Sequence, residues 1–255
     1  MEKFIQDIVK KAGAAVLKKL GKVGVHYTKS DQVWDVVTKS DLLAEKIIIS
    51  AIKKKYPDHG IISEESGSQK IGSEYMWIID PIDGTFNYSR GVPMFGVMVA
   101  LVRNGEVLLS AIDHPATNEL FFAKAGGGAF VNGKRIHCSS AKNLKEAAGV
   151  GSSSLHKRNS RFLKNLLRET RGNGTIIGSF LSMASNACYT AAGRRDWMTS
   201  LSGSIWDYAP AYLILKESGC KVTDTKGNPW KFGTLEMVAA NPVLHKQLLK
   251  LTKNI

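Results

Sequence analysis

The chain has 255 residues, of which 44% are hydrophobic, enough for one large domain or two small domains in close contact. Its 35 basic and 22 acidic residues give a formal net charge of +13, which favours an anionic partner or a highly soluble surface. The sequence has no apolar run near the roughly 18 residues of a membrane span and no signal core, which argues against a membrane or exported protein. We expect a cytoplasmic protein whose widely spaced cysteines are reduced thiols: Cys138, Cys188 and Cys220.

The first half of the chain predicts two helices followed by antiparallel strands. Apolar residues recur at helical spacing from Phe4 to Leu20, and Gly21 is expected to end this helix. A second apolar stripe predicts a helix over residues 41–56. Short apolar segments separated by turn signals then predict strands over residues 94–102, 106–112, 119–124, 129–131 and 135–136. This order is typical of an antiparallel meander that packs behind two helices.

After about residue 145 the pattern changes to short strands that alternate with helices. Strands are predicted over residues 148–151 and 175–178, and helices over residues 155–171, 181–192 and 206–218. We therefore expect an α+β half over residues 1–145 and an α/β half over residues 146–255. The sequence has no long flexible linker between them, so the halves are expected to fold as one body.

The predicted helix over residues 155–171 carries a basic face. Its basic residues fall on one helical stripe: Lys157, Arg161, Lys164, Arg168 and Arg171. Apolar residues fall on the opposite side: Phe162, Leu163, Leu166 and Leu167. This pattern favours the solvated outer face of an amphipathic helix. A nucleic-acid surface is the alternative, although it would be expected to carry interleaved aromatic residues as well.

The segment from Trp77 to Thr85 is the most informative part of the sequence. An apolar run leads into Asp80 and Asp83, and Pro81 between them keeps this pair out of a helix interior. Gly84 and Thr85 follow and are expected to open a short helix, which places free backbone N–H groups beside two carboxylates. Divalent metal and phosphate can meet at such a place. The alternative is a strand-to-turn connection with acidic turn residues.

Two other segments supply further acids. Glu64 and Glu65 follow a short apolar strand, and Asp207 follows Trp206 at an expected helix start, where it could also serve as an N-cap. Carboxylates without histidine or cysteine suit magnesium better than zinc.

These three segments, in this order, resemble the inositol monophosphatase family of magnesium-dependent, lithium-sensitive phosphatases, and the resemblance extends over residues 35–241. The resemblance implies a mixed α/β fold, an αβαβα layered sandwich of the inositol monophosphatase and fructose-1,6-bisphosphatase type. It also implies an active site between the two halves, two or three Mg²⁺ ions, and a homodimer.

The resemblance further implies a role for each acidic residue. The implied metal ligands are Glu64, Asp80, Asp83, Asp207 and the carbonyl of Ile82, with Asp80 shared by two ions. Asp41 and Thr85, with Glu64, would activate the attacking water. The substrate phosphate would contact Asp83 and the backbone of Gly84 and Thr85. Lys29 matches a basic residue that closes over the site, although its spacing is one residue longer than usual.

The substrate wall departs from the family pattern. Ser179 and Leu181 stand in a segment that is bulkier than usual, and Ser200 stands where inositol-cleaving members usually carry a glutamate that binds ring hydroxyls. Inositol 1-phosphate is the first expected substrate, and fructose 1,6-bisphosphate and histidinol phosphate are the alternatives. A different class of function is binding of RNA or a transcription complex through the basic face.

Overall fold

Five alternating layers of helix and sheet make up the computed structural model, which describes residues 1–33, 35–151, 156–171, 174–252 and 255. Most strands belong to an eight-stranded sheet from the first part of the chain and a five-stranded sheet from the later part. Helices lie between these sheets and on both outer faces. The predicted αβαβα sandwich is thus confirmed, while the division near residue 145 into two halves stays a prediction. No helix in the described ranges is long and apolar enough to cross a bilayer.

The helices lie close to their predicted positions, except for the last, which was not predicted. They are α1 (Glu2–Leu17), α2 (Lys39–Lys55), α3 (Thr85–Tyr88), α4 (Lys157–Thr170), α5 (Met183–Ala191), α6 (Ile205–Glu217) and α7 (Pro242–Leu251). Helix α1 ends before the predicted Gly21, because the chain tightens after Leu17 into a turn in which Leu20 N–H bonds the Leu17 carbonyl. Position 155, the predicted start of α4, lies outside the described residues.

The strands are short except in the centre of the larger sheet. In chain order they are β1 (Val25–Thr28), β2 (Val36–Thr38), β3 (Gly60–Ser63), β4 (Gly67–Gln69), β5 (Tyr75–Asp83), β6 (Gly96–Arg103), β7 (Glu106–His114), β8 (Glu119–Lys124), β9 (Gly128–Val131), β10 (Lys134–Ile136), β11 (Ala148–Gly151), β12 (Ile176–Gly178), β13 (Trp197–Ser200), β14 (Lys221–Thr223) and β15 (Met237–Ala240). Strands β6 to β10 form the predicted antiparallel meander.

Strand order explains how the larger sheet is completed. Its order is β10-β9-β8-β7-β6-β5-β3-β4, and β5 pairs antiparallel with β6 but parallel with β3. Strand β4 turns back and pairs with the edge of β3 that faces away from β5. The chain then crosses over and adds β5 to the other edge of β3, so that β5 runs parallel to β3. The smaller sheet has the order β12-β11-β13-β15-β14, in which β11 is parallel to both neighbours and β15 is antiparallel to both of its own. Beside them, β1 and β2 form a separate antiparallel pair.

The layers are held together by three apolar clusters. Helices α1 and α2 pack on one face of the larger sheet, α5 and α6 pack between the sheets, and α4 and α7 cover the outer face of the smaller sheet. Strand β5 contributes to two of these clusters, since Trp77 and Ile79 face α1 and α2 while Met76 and Ile78 face α6. Burial on both faces explains the continuous apolar run that leads into Asp80.

Buried Asp113 on β7 leads to a prediction about stability. Its Oδ2 occupies space that a side chain on Gly13 of α1 would need, since a Cβ built on that glycine lies 2.0 Å away. Burial raises the pKa of Asp113 to about 7, partly opposed by the charge of Lys10. The folded state therefore favours the protonated form of Asp113. The contribution of this preference to the unfolding free energy is fully present below the ordinary pKa of about 4 and is lost as pH rises to about 7.

We expect Asp113→Asn to remove this pH dependence. The wild-type protein should lose about 2–4 kcal/mol more unfolding free energy than the variant between pH 5 and pH 8, measured by urea denaturation. Asp58→Asn, at an exposed position, is the control and should keep the wild-type slope. Equal slopes for Asp113→Asn and wild type would show that Asp113 is ionised in the fold across this range.

Candidate active site

A cavity of about 190 Å³ lies where β5, α5, β13 and α6 meet. Polar side chains dominate its lining, which consists of Asp83, Ser179, Leu181, Ser182, Met183, Asn186, Thr199, Ser200, Ser202 and Asp207. The structure therefore brings the predicted substrate wall, Ser179, Leu181 and Ser200, to the same cavity as two of the predicted acids.

Three carboxylates form a cluster at this cavity. Asp80 and Asp83 come from the end of β5 and Asp207 from the first turn of α6, and their ligand oxygens lie within 4.8 Å of one another. Asp80 is buried, and its Oδ1 has no hydrogen-bond partner among the described residues. Burial, and then the charges of Glu64, Asp83 and Asp207, raise the pKa of Asp80 well above its usual range.

The other two acids are perturbed in the same direction. Burial raises the pKa of Asp83 to about 6, against hydrogen bonds that lower it. Burial and the charge of Asp83 raise the pKa of Asp207 to about 8. Acids that resist ionisation together become easier to ionise when a cation neutralises them. A purely carboxylate cluster with one unpartnered oxygen fits a hard divalent cation.

A bulge in β5 turns Asp80 and Asp83 to the same side. Asp80 lies opposite Met98 on β6 and Asp83 lies opposite Gly96, so three steps on β5 match two steps on β6. In a regular strand, residues three apart would face opposite sides of the sheet. The extra residue corrects this, and Pro81, which has no N–H to donate to the ladder, is suited to the irregularity.

The N-terminus of α5 holds Asp83 in place. Backbone N–H groups of Met183 and Ala184 donate to its oxygens at 2.9 and 2.8 Å, and the Ser182 hydroxyl donates as well. This contact ties the larger sheet to a helix from the later part of the chain. Sequence reasoning missed Ser182, whose only signal was a serine at the start of an apolar helix.

Asp207 has two structural roles. It is the third residue of α6 and accepts a hydrogen bond at 2.6 Å from the backbone N–H of Ser204, which completes a capping box. The N-cap alternative for Asp207 was wrong, because Ser204 is the N-cap of α6. Asp207 instead closes the capping box from the first turn and also belongs to the acid cluster.

Thr85 and Asp41 lie in direct contact beside the cluster. Thr85 Oγ1 is 3.0 Å from Asp41 Oδ1 and 2.7 Å from the carbonyl oxygen of Ile82. Asp41 also accepts bonds from the Thr38 N–H at 2.8 Å and the Thr38 hydroxyl at 2.6 Å, so it caps α2 as well. Burial raises the pKa of Asp41 to about 6, against the hydrogen bonds from Thr38 and Thr85.

Gly84 is required by the backbone between the acids and α3. Its φ is +83°, in the left-handed region, and a Cβ there would lie 2.9 Å from the carbonyl oxygen of Met94 and 3.1 Å from Cβ of Ser182. This glycine lets the chain turn from β5 into α3 directly after Asp83.

Lys29 contacts the paired glutamates. Its Nζ lies 2.7 Å from Glu64 Oε1 and 2.8 Å from Glu65 Oε1. Partial burial acts to lower the pKa of Lys29, but Glu64 and Glu65 outweigh it and the pKa is raised. Although the spacing around Lys29 is one residue longer than usual in the family, the structure places Lys29 beside Glu64 and Glu65. Glu64 is engaged by Lys29 and lies outside the cluster of three aspartates.

Buried Glu45 on α2 fixes the loop that carries Glu64. It accepts bonds from the Ser66 N–H at 3.0 Å and the Ser66 hydroxyl at 3.1 Å, and the Ser63 hydroxyl also donates to it. Sequence reasoning missed this residue. Its signal was an acid four residues after Asp41, on the face of α2 that Ala44 and Ile48 show to be buried.

The substrate wall has two local features. Ser200 Oγ lies 2.8 Å from the hydroxyl oxygen of buried Tyr208. Leu181 has a φ of +53°, and its N–H donates to Ser179 Oγ at 3.2 Å. A leucine in the left-handed region costs about 1–2 kcal/mol, and such conformations cluster at ligand sites.

Comparisons with known proteins identify relatives of this chain. The sequence model of the inositol monophosphatase family matches residues 1–255. A fructose-1,6-bisphosphatase/inositol-1-monophosphatase of Thermotoga maritima is 35% identical over 249 residues, which are 94% of each chain. A putative Nus factor SuhB of Neisseria meningitidis serogroup B is 33% identical over 248 residues, 95% of this chain and 94% of its own. A solved Thermotoga maritima IMPase superposes with a TM-score of 0.89 at 34% identity, covering 98% of this chain and 95% of its own.

The layered αβαβα fold, the carboxylate cluster and these relatives together identify a phosphatase of a metal-dependent class. The chain belongs to the inositol monophosphatase family.

Proposed function

We propose that the protein hydrolyses the phosphate monoester of a small polyol, with inositol 1-phosphate as the first candidate. The observation that supports this most strongly is the cluster of Asp80, Asp83 and Asp207, with its unpartnered Asp80 oxygen. Two or three Mg²⁺ ions would be held by this cluster together with Glu64 and the Ile82 carbonyl. Such ions supply positive charge that lowers the pKa of a water and neutralises the phosphate and the leaving oxygen.

In this proposal Thr85 and Asp41 orient the attacking water and take its proton. Thr85 Oγ1 donates its hydrogen to Asp41 Oδ1 at 3.0 Å, which leaves the lone pairs of Thr85 free to accept a hydrogen bond from water. As the water loses its proton to Thr85, the threonine hydrogen passes to Asp41. A pKa of about 6 suits Asp41 for this step near neutral pH, with Glu64 assisting from the neighbouring loop.

The phosphate would bind at the start of α3. The backbone N–H groups of Gly84 and Thr85 follow Asp83 and are free of strand pairing, so they can donate to phosphate oxygens. Lys29 would add positive charge at the phosphate when its Nζ leaves Glu64 and Glu65 and binds the phosphate instead.

The cavity lining favours a substrate with one phosphate and several hydroxyls. Apart from Asp83 and Asp207, the polar side chains found there are neutral, among them Ser179, Asn186 and Ser200. Neutral hydroxyls and amides suit a polyol, whereas the second phosphate of fructose 1,6-bisphosphate would need a cation. Phosphate release from a panel of phosphorylated metabolites with Mg²⁺ tests this, with inositol 1-phosphate, fructose 1,6-bisphosphate and histidinol phosphate compared directly.

Replacing Ser200 by glutamate should strengthen the preference for inositol 1-phosphate. A carboxylate at this position could bind ring hydroxyls, for a gain of about 1–2 kcal/mol, or about fivefold to thirtyfold in kcat/KM relative to other phosphates. Because Leu181 lines the same cavity as Ser200, Ser200→Glu combined with Leu181→Ala leaves more room for the substrate and is the fairer test. Ser200→Ala is the control, since it removes the bond to Tyr208 without adding a charge.

One outcome would contradict the idea that Ser200 weakens inositol binding. Wild-type protein would prefer inositol 1-phosphate strongly, and both glutamate variants would lose activity on it. Recognition would then come from elsewhere in the cavity.

A second function, binding to RNA or a transcription complex, has two observations in its favour. Some relatives are named Nus factor SuhB, and the predicted basic face of α4 is exposed: Lys157, Arg161, Lys164, Arg168 and Arg171. On the opposite side, Phe162 and Leu166 are buried as predicted, whereas Leu167 is 65% exposed, because the buried side of α4 is narrower than the sequence pattern indicated.

We expect RNA binding through this face to be weak and to disappear near physiological salt, since it would rest on phosphate contacts alone. Charge reversal at Arg161, Lys164 and Arg168 should remove it and leave phosphatase activity intact. Charge reversal at three exposed lysines after α1 is the matched control: Lys18, Lys19 and Lys22. Submicromolar RNA binding at physiological salt, lost only in the α4 variant, would instead establish RNA binding as a main function.

A further inference from the structure

Two cysteines that are distant in the sequence meet at one point of the fold. Cys138 follows β10, and Cys220 lies between α6 and β14. The backbone N–H of Cys138 donates to the carbonyl of Ser218 at 3.0 Å, which fixes the two segments side by side. Gly219 separates Ser218 from Cys220, and a Cβ built on it would lie 3.8 Å from Cys138 Sγ, so no side chain at 219 stands between the segments.

The two thiols lie close together in unequal surroundings. Cys138 is partly exposed, whereas Cys220 is buried and also accepts a bond from the Ser218 hydroxyl at 3.7 Å. The third cysteine, Cys188, is fully buried in α5 within the core between the sheets.

The electrostatics divide the two thiols into an attacking and a resolving partner. The neighbouring Cys220 thiol lowers the pKa of Cys138, against burial, and Cys138 together with burial raises the pKa of Cys220. Cys138, the more accessible sulfur, is therefore the one that ionises more readily, while buried Cys220 holds its proton more tightly. A partly exposed thiol that ionises readily, with a second thiol beside it, is the arrangement of a reversible oxidation site.

We propose that Cys138 and Cys220 form an oxidative modification site that a hydroperoxide converts into an intramolecular disulfide. The Cys138 thiolate attacks one peroxide oxygen, the O–O bond breaks, and the leaving alkoxide or hydroxide takes a proton from water. Cys138 is then a sulfenic acid. The Cys220 sulfur attacks the sulfur of Cys138, its proton joins the departing hydroxyl, and water leaves as the S–S bond forms. The two thiols lose two electrons, and the peroxide gains them.

The disulfide is tested by counting thiols after exposure to hydrogen peroxide. The protein is treated, denatured, alkylated with iodoacetamide and weighed intact, and its peptides are then mapped. Of the three cysteines in the sequence, we expect the alkylated number to fall from three to one, with the Cys138 and Cys220 peptides joined. A reducing agent should restore all three. The readout is independent of phosphatase activity.

Matched variants separate the two roles. Cys220→Ser should leave Cys138 as a sulfenic acid that dimedone labels, while wild type should show little label because Cys220 resolves it. Cys138→Ser should keep both remaining thiols at the same peroxide dose, and Cys188→Ser should still form the disulfide.

Two results would overturn the proposal. One is equal dimedone labelling of Cys138 in wild type and Cys220→Ser. The other is wild-type protein that retains three thiols at a dose that oxidises Cys138 in Cys220→Ser.

Discussion

Replacement of Asp80 by asparagine should lower the rate of phosphate release by at least about a thousandfold, or about 4 kcal/mol of transition-state stabilisation. Asp80 is the most buried of the three clustered acids, and its Oδ1 has no partner in the described part of the chain. In the proposed site it would help to hold the metal, and asparagine keeps its shape but removes its charge. The measurement is kcat and kcat/KM with saturating Mg²⁺.

The same substitution should not harm the fold. The raised pKa of Asp80 means that its ionised form is disfavoured beside Glu64, Asp83 and Asp207 when no cation is present. In chelator at pH 8 the unfolding free energy of Asp80→Asn should therefore equal or exceed that of wild type. Asp7→Asn, on the exposed face of α1, is the control for both measurements. A variant that keeps more than about a tenth of wild-type activity would rule out the assigned role.

Removal of the Thr85 hydroxyl is expected to have the second largest effect. Thr85→Val keeps the shape of the side chain but cannot pass a proton to Asp41, which lies 3.0 Å away. Loss of general-base assistance should lower kcat by about a hundredfold to ten-thousandfold with little change in KM. Thr85→Ser keeps the hydroxyl and should retain most of the activity.

The pH profile gives an independent check on this pair. Burial raises the pKa of Asp41 to about 6, so Asp41 is protonated below that pH and cannot accept a proton. The rate should therefore fall as pH drops through about 6, and Asp41→Asn should lose this dependence together with most of its activity. A Thr85→Val enzyme with nearly wild-type kcat, or an acid limb that survives in Asp41→Asn, would remove Thr85 and Asp41 from the mechanism.

Long periodic elements were predictable from the sequence, whereas the short strands β13 to β15 were not, although the equally short β9 to β12 were. Helices α1 and α2 and the meander from β6 to β10 follow apolar periods of several turns or strand pairs, so their patterns are clear. Strands β13 to β15 have only three or four residues each, too few to show a period of two. Helix α7 also went unpredicted, although Asn241 and Pro242 form an N-cap and first turn of the expected kind.

In the candidate site, residues that share one local motif were predictable, and residues that act on distant parts of the sequence were not. Its acids were found because Asp80 and Asp83 stand in one short motif, and Thr85 follows in the same segment. The bulge that turns both aspartates to one side depends on pairing with β6, and no local pattern encodes that register. Ser182 and Glu45 were missed because each acts on a residue far away in the sequence, through bonds to Asp83 and to the loop at Ser66.

The central claim is that the acid cluster holds divalent metal ions that this phosphatase needs to hydrolyse a phosphate monoester. The most direct test removes and restores the metal. Phosphate release from inositol 1-phosphate is measured after exhaustive chelation, during titration with Mg²⁺ or Mn²⁺, and then with added Li⁺ or excess Ca²⁺. We predict no release without metal, recovery with Mg²⁺, inhibition by Li⁺ and Ca²⁺, and no recovery in Asp80→Asn. Full activity after exhaustive chelation would contradict the account.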